Sequence, residues 1–429
     1  MTLLEATAPA APPLTALPVV VIGGGPIGLA AAAHLVERGI GFELLETGDS
    51  IASSMRAWGH VRLFSPWRHL IDPAARRLLE AHGWAEPRSL DAAPSGSELV
   101  EHYLEPLAAL PSIAEKVRTG VRVTDVSRLG MDRTRSSGRA STPFVVRLRG
   151  TNGETTEALA RAVIDASGTY RTPNRLGSSG LDPLGSDDVA DHISHALPDV
   201  LGSERSRFSG RHVTVVGAGH SAATTLIALG TLIQTSPQTR VTWVVRNAAA
   251  TRVFTSDDDG LPRRASLGAK LTKLVDFGVI ELRDRFEITR LARAGERVTV
   301  MGSRGAFETD VIVNATGYRP DLDMLREVRL DLDDIVEAPR TLAPLIDPNV
   351  HSCGTVEPHG VTELRHPDPG FFIVGMKSYG RAPTFLLATG YEQVRSVVAE
   401  LAGDLTAARS VQLVLPATGM CSTTTDCCD

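Results

Sequence analysis

Cysteine is scarce in this chain: four residues in 429, none before Cys353, and three of them (Cys421, Cys427 and Cys428) within the last nine positions. A fold stapled by disulfides is therefore excluded, and a reducing cytoplasm is the expected compartment. Lysine is also rare. Only Lys116, Lys270, Lys273 and Lys377 occur among the 44 basic residues, which reflects codon bias more than function. A formal net charge of -6 and a pI near 6.1 give no global attraction to polyanions, so nucleic acid is not an expected partner. Long apolar runs are missing too. The uncharged stretch from Leu17 to Ala33 is broken by Gly23, Gly24, Gly25, Pro26 and Gly28, and no other stretch is a credible span, so no membrane is expected. The opening MTLLEATAPAAPPLTALP carries Glu5, several prolines and no early Lys or Arg. That is unlike a secretory signal, and residues 1–15 are expected to form a disordered lead.

What is present is a repeated turn. In VVVIGGGPIGLAAAAHL a β-branched run, Val19 to Ile22, breaks at glycines and resumes as an Ala/Leu-rich helix. Gly23, Gly25 and Gly28 stand at the G-x-G-x-x-G spacing: the first permits the sharp turn, the second lets a pyrophosphate approach the backbone, and the third lets the helix pack on the strand. The amides and positive end of the helix, from Pro26 and Ile27 onward, would face the phosphates. A second strand, FELLE, ends in Glu46, 23 positions after Gly23, where a carboxylate accepts hydrogen bonds from a ribose 2′-OH and repels a 2′-phosphate.

The pattern recurs in RHVTVVGAGHSAATTLIAL, with Gly217, Gly219, His220 and Ser221 in the turn and Ala222 in the third glycine's place. Its second strand, VTWVVRN, ends in Arg246, whose guanidinium suits a 2′-phosphate and so points to NADPH. Two further strands run into small residues and glycine, AVIDASGTYRTPN through Ser167 and Gly168, and DVIVNATGYRPD through Thr316 and Gly317, where chain would pass close to a cofactor. The layout is nested: residues 16–205 and 309–405 form one nucleotide domain and 206–308 an inserted one. Residues 130 to 160 are expected to be an exposed hairpin region, and 406–429 a mobile Cys-containing tail.

Together VVVIGGGPIGLA, VVGAGHSA and ATGYRPD resemble the flavoproteins with two dinucleotide-binding domains, the superfamily of flavin-containing monooxygenases and thioredoxin-reductase-like enzymes. The resemblance implies an α/β fold of two Rossmann-like, three-layer ββα domains, with the NADPH domain inserted into the FAD domain. It also implies FAD at Gly23, Gly25, Gly28 and Glu46, and NADPH at Gly217, Gly219, Ser221 and Arg246. Where the superfamily has a strand ending in Gly-Asp, this chain has Gly375-Met376. The next helix is expected to begin near Pro383, with Phe385, Leu386, Val394, Val397, Val398 and Leu401 on its buried face. The monooxygenase fingerprint F-x-G-x-x-x-H is not met around His192 and His195, each a candidate for a nicotinamide or linker role.

Trp58, Phe64, Trp67 and His69 in SMRAWGHVRLFSPWRHLIDP are the candidate flavin wall and substrate entrance, with Trp67 and His69 as catalytic candidates. The conventional disulfide relay of the reductase branch is absent before Cys353. The expected activity is therefore monooxygenase-like: hydride from NADPH to FAD, then oxygen transfer to a small substrate. A competing expectation gives the thiols of Cys421, Cys427 and Cys428 a catalytic role in disulfide or metalloid reduction, or lets them hold a soft metal or arsenic species. A third is a nucleotide-sensing flavoprotein without turnover. The sequence leaves the oligomeric state open, a homodimer included.

Overall fold

A computed structural model of the protein describes residues 13–248, 262–347, 358–383 and 385–413. Two five-stranded parallel sheets organise it. The first is built from β1 (Val19–Ile22), β2 (Phe42–Leu45), β3 (Val117–Arg118), β7 (Ala162–Asp165) and β16 (Phe371–Ile373), in the order β16-β7-β1-β2-β3. Between β3 and β7 the chain forms an antiparallel sheet of β4 (Val121–Arg128), β5 (Phe144–Gly150) and β6 (Thr155–Ala160), which includes the expected hairpin. The second unit repeats the plan. Its parallel sheet runs β8-β15-β9-β10-β11, from β8 (Ile193–His195), β9 (His212–Val216), β10 (Arg240–Val244), β11 (Glu281–Arg283) and β15 (Val311–Asn314). Its antiparallel layer is β12 (Ile288–Ala294), β13 (Arg297–Gly302) and β14 (Gly305–Thr309).

The second sheet takes in β8 and β15, strands on either side of the 206–308 span expected for the inserted unit. β8 is three residues long and pairs only with β15, more than a hundred positions away, so no local pattern announces it. The central strand β1 is apolar along its whole length because both faces are covered, and β9 buries all but its first residue. Val19, Val20 and Val21 are fully buried, as is Ala30 to Ala33 on the helix Pro26–Glu37 that follows β1. That helix packs against Leu387–Leu401, whose Val394, Val397 and Val398 are buried. The latter helix begins at Leu387, beyond the expected Pro383, because the backbone at Leu386 is extended, which leaves Phe385 and Leu386 ahead of the helix and not on its face.

A buried ionic clamp fixes the entry to β16. Arg139 donates through Nε and Nη2 to both oxygens of Asp368 (2.7 and 2.8 Å), and Arg329 N–H adds a third donor at 2.7 Å. The Asp368 carboxyl thereby stays below the usual range: burial opposes ionisation, but the hydrogen bonds and the charges of Arg139 and Arg128 outweigh it. Beside it, His366 is buried, and that burial lowers its pKa to about 4. Among the described residues no helix is long and apolar enough to cross a membrane, and no group of three or more His, Cys, Asp or Glu is placed to hold a metal ion.

A pH dependence follows. Below its ordinary value near 6.5 the unfolded His366 takes up a proton while the folded ring does not, so stability falls as pH drops from 6.5 toward 4 and levels off below. The loss through this residue is about 3 kcal/mol, from the shift at ~1.4 kcal/mol per pH unit. Denaturant midpoints measured across that window should show a shallower acid slope in His366→Phe than in the parent; equal slopes would contradict the assignment.

Candidate functional site: two nucleotide cradles

Both glycine turns sit at the carboxyl edge of a parallel sheet, at its central strand. After β1, Gly23 has φ +102°, and a Cβ there would lie 2.6 Å from the Ala166 carbonyl oxygen. A Cβ at Gly28 would overlap the Gly23 carbonyl oxygen, whereas one at Gly25 meets nothing within 4 Å. The first and third glycines are thus required by the protein itself. The second borders open space in front of the N-terminus of the helix Pro26–Glu37, which begins with Pro26 and Ile27. The turn after β9 repeats this: Gly217 has φ +134° and no room against the Ala315 carbonyl, while Gly219 is open. Ala222 is fully buried at the third position, and His220 and Ser221 open the helix His220–Thr235.

Glu46 lies one residue past β2 and is buried. Its Oε2 accepts from Gly24 N–H (2.8 Å), and its Oε1 from Gly48 N–H (2.7 Å) and the Ser53 hydroxyl (2.8 Å). A carboxylate has about four acceptor positions, so one remains for a ribose hydroxyl. Arg246 is exposed and lies two residues past β10. The position that matches Glu46 is Val245: Glu46 N–H donates to the Arg118 carbonyl, and Val245 N–H to that of Arg283 (2.9 and 3.0 Å).

The two crossing segments are also a matched pair. Asp165 Oδ1 accepts from the amide and hydroxyl of Ser167 (3.1 and 2.6 Å), and Asn314 Oδ1 from those of Thr316 (3.3 and 2.7 Å). Gly168 and Gly317 follow, with φ of +70° and +99°. The first crossing carries a charge that the second lacks, and a lysine answers it. Lys377 Nζ donates to Asp165 Oδ2 at 2.6 Å and to the Ser167 hydroxyl at 3.2 Å, with both charged side chains almost wholly buried. Lys377 follows Gly375 and Met376. Gly375 has φ +70°, and its N–H donates to Gln393 Oε1 at 2.7 Å from the helix Leu387–Leu401, while Met376 is 37% exposed. Lys377 and Gln393 were not anticipated; the rarity of lysine was the available signal for the first, and nothing local marks the second.

The crossings touch through aromatic rings. Tyr170 and Tyr318 lie 5.6 Å apart, and His195, at the end of β8, stacks 5.7 Å from Tyr318 and 4.6 Å from Tyr170. Asn174 straps the same junction, its carbonyl accepting from Asn314 Nδ2 and Thr316 Oγ1 (2.9 and 3.2 Å). Burial and the neighbouring Tyr170 raise the Tyr318 phenol, keeping it protonated. His195 therefore stands at the junction between units, while His192 is held by the Asp310 carbonyl and Arg293.

In the aromatic segment the structure separates the candidates. Trp67 is 6% exposed and packs in the core of the first unit. His69 is partly exposed beside Arg68, which donates to its Nε2 at 3.2 Å; burial first, then the Arg68 charge, lowers its pKa and favours the neutral ring. Phe64 meets His220 edge-on at 5.4 Å, so this segment reaches the mouth of the second cradle. Cys353, Cys421, Cys427 and Cys428 lie outside the described residues.

Removing one partner of a buried ion pair typically costs ~3–5 kcal/mol. Lys377→Met should lose on that order in urea unfolding and retain less flavin, and the double variant Asp165→Asn/Lys377→Met should recover much of both, since Asn314 does the same work uncharged. A single variant as stable as the parent would refute the assignment.

Comparisons with known proteins agree with this geometry. Residues 20–353 match the family described as pyridine nucleotide-disulphide oxidoreductase. The chain is 30% identical over 203 residues to indole-3-pyruvate monooxygenase YUCCA6 of Arabidopsis thaliana, a match spanning 47% of this chain and 42% of that protein, less than half its length. The bacillithiol disulfide reductase Bdr of Bacillus cereus shares its fold at a TM-score of 0.67 and 19% identity, over 90% of this chain and 99% of that one. FAD-bound DfoA, a cadaverine monooxygenase of desferrioxamine biosynthesis from Erwinia amylovora, does so at 0.64 and 15%, over 95% and 99%. With two matched glycine cradles on one polypeptide, the chain belongs to the pyridine nucleotide-disulphide oxidoreductase family.

Proposed function

We propose that the protein is an FAD-dependent, NADPH-consuming monooxygenase of a small soft-nucleophile or amine substrate. The observation that carries this is the pair of cradles with opposite edge chemistry: a buried carboxylate beside the first glycine turn, and an exposed guanidinium beside the second. The open space at Gly25 fits a pyrophosphate there, and the acceptor position left on Glu46 fits a ribose hydroxyl. The ends of β7 and β16, with Ser167, Gly168, Gly375 and Met376, lie on the other side of β1 from Glu46 and would carry the flavin half. FAD, when bound, supplies hydride acceptance from a nicotinamide and the activation of O2.

The chain's own part is to bind, orient and exclude water. The first-turn amides and the dipole of Pro26–Glu37 would hold the phosphates. The Asp165–Lys377–Ser167 triangle stiffens the turn along the flavin half. Tyr170, His195 and Tyr318 pack together at the junction between the two cradles, and with both cofactors bound that packing would help keep water from reactive intermediates. The likeness to YUCCA6 favours the oxygen-transfer branch. The competing thiol chemistry rests on Cys421, Cys427 and Cys428, which lie outside the described residues.

Two outcomes are expected. Gly25→Val should fold normally, having free space for its Cβ, yet lose most of its bound FAD; a yellow Gly25→Val protein would count against the first cradle. A panel of amines and thioethers should contain compounds that accelerate NADPH oxidation and gain 18O from labelled O2. Hydrogen peroxide as the sole oxygen product throughout, together with new free thiols after anaerobic NADPH, would move the protein to the reductase branch.

A further inference from the structure

The two units can be superposed by their hydrogen bonds alone. Gly23 N–H donates to the Leu45 carbonyl, and Gly217 N–H to that of Val244 (2.7 and 3.1 Å). Val121 N–H donates to the Glu46 carbonyl, and Phe286 N–H to that of Val245 (3.0 and 3.1 Å). One more pair lies between these. Gly120 N–H donates to the Gly48 carbonyl at 2.7 Å, and Arg285 N–H to the Asn247 carbonyl at 3.1 Å. Gly120 and Arg285 each stand two residues past the edge strand, β3 or β11, and each is left-handed, with φ of +66° and +47°.

The first unit fills this position with glycine, which adopts such a backbone without penalty. The second holds an arginine there, one of only four described non-glycine residues with positive φ. A bulky residue in that conformation is strained, and such strain persists where surrounding structure imposes it, often at ligand contacts. Around the ribose-binding corner, the equivalences replace Glu46 by Val245, Thr47 by Arg246 and Gly120 by Arg285. One carboxylate goes and two guanidinium groups arrive. Both arginine side chains are exposed, Arg285 at 63%. The neighbouring carboxylate of Asp284 is shared between Arg285 (3.3 Å) and Arg304 (3.0 Å), so the local excess stays positive. Arg283 turns away, paired with Glu281 at 2.8 Å and stacked over Phe307.

We propose that Arg285 is a second specificity-determining cation: with Arg246 it grips the 2′-phosphate of the nicotinamide dinucleotide from the neighbouring strand end, and its backbone strain is retained for that purpose. The strand order supports this placement. Passing outward along the sheet edge come the glycine turn after β9, Arg246 after β10 and Arg285 after β11, so Arg285 flanks the corner where a 2′-substituent projects. Two guanidinium groups suit a phosphate because each offers paired donors in a plane. The inference rests on NADPH being the reductant of the proposed function.

The test uses the full flavin-loaded chain and calorimetric titration with NADP+ and NAD+, beside thermal melting. Arg285→Gly restores the first unit's residue. It should melt at a higher temperature, weaken NADP+ binding by roughly tenfold to a hundredfold, the range for a lost hydrogen bond to a charged group, and leave NAD+ binding unchanged. Arg246→Ala should weaken NADP+ similarly without the gain in melting temperature. Unchanged NADP+ affinity in Arg285→Gly, with the parent still preferring NADP+, overturns the role of Arg285 alone; so does an equal loss for both nucleotides. A parent that binds NAD+ as tightly as NADP+ overturns the NADPH reading beneath it.

Discussion

The structure depends on a near-collision repeated twice. Where the chain leaves each central strand, it passes so close to the chain leaving the adjacent strand that no side chain fits: Gly23 against Ala166, Gly217 against Ala315. That proximity opens the turn toward the helix N-terminus and leaves Gly25 and Gly219 facing empty space. Backbone amides and a helix dipole are thereby exposed to one small region at each sheet edge, an arrangement suited to phosphate. Much of what surrounds these points holds the two chains at that separation.

The units solve the same problem with different chemistry. The first crossing uses a buried carboxylate and must neutralise it, which Lys377 does from the turn after β16, more than two hundred residues later. The second uses Asn314 and needs no counter-ion. A buried ion pair is seldom favoured over a neutral pair on stability grounds alone. Its effect here is to tie β7 to the turn after β16 and so to make the first cradle depend on both halves of an interrupted domain. The Arg139–Asp368 clamp acts on the same strand from its other end.

How much of this was legible in the sequence follows from distance along the chain. The glycines, Glu46 and the strand–turn–helix order are encoded within a few dozen residues, and the structure places them as the spacing predicts. Lys377 and Gln393 act through contacts with segments the local pattern does not name. The spacing puts Arg246 at a strand end, but the hydrogen-bond register makes Val245 the equivalent of Glu46, a distinction no spacing rule contains. Proline preference puts a helix start near Pro383, but the backbone is still extended at Leu386 and the helix begins at Leu387. Trp67 stands in an aromatic segment that suggests a cofactor wall, and only the three-dimensional packing shows that its ring is buried in the core of the first unit. The second unit extends to β8 and β15 because sheet membership is decided by pairing and not by composition.

The central claim is that the two cradles are independent and take different dinucleotides at once. Titrating FAD into flavin-stripped protein, with and without saturating NADP+, tests it most directly. The account predicts one FAD and one NADP+ per chain, with FAD affinity undiminished by NADP+. Competition, in which NADP+ displaces FAD from a single shared site, would contradict it.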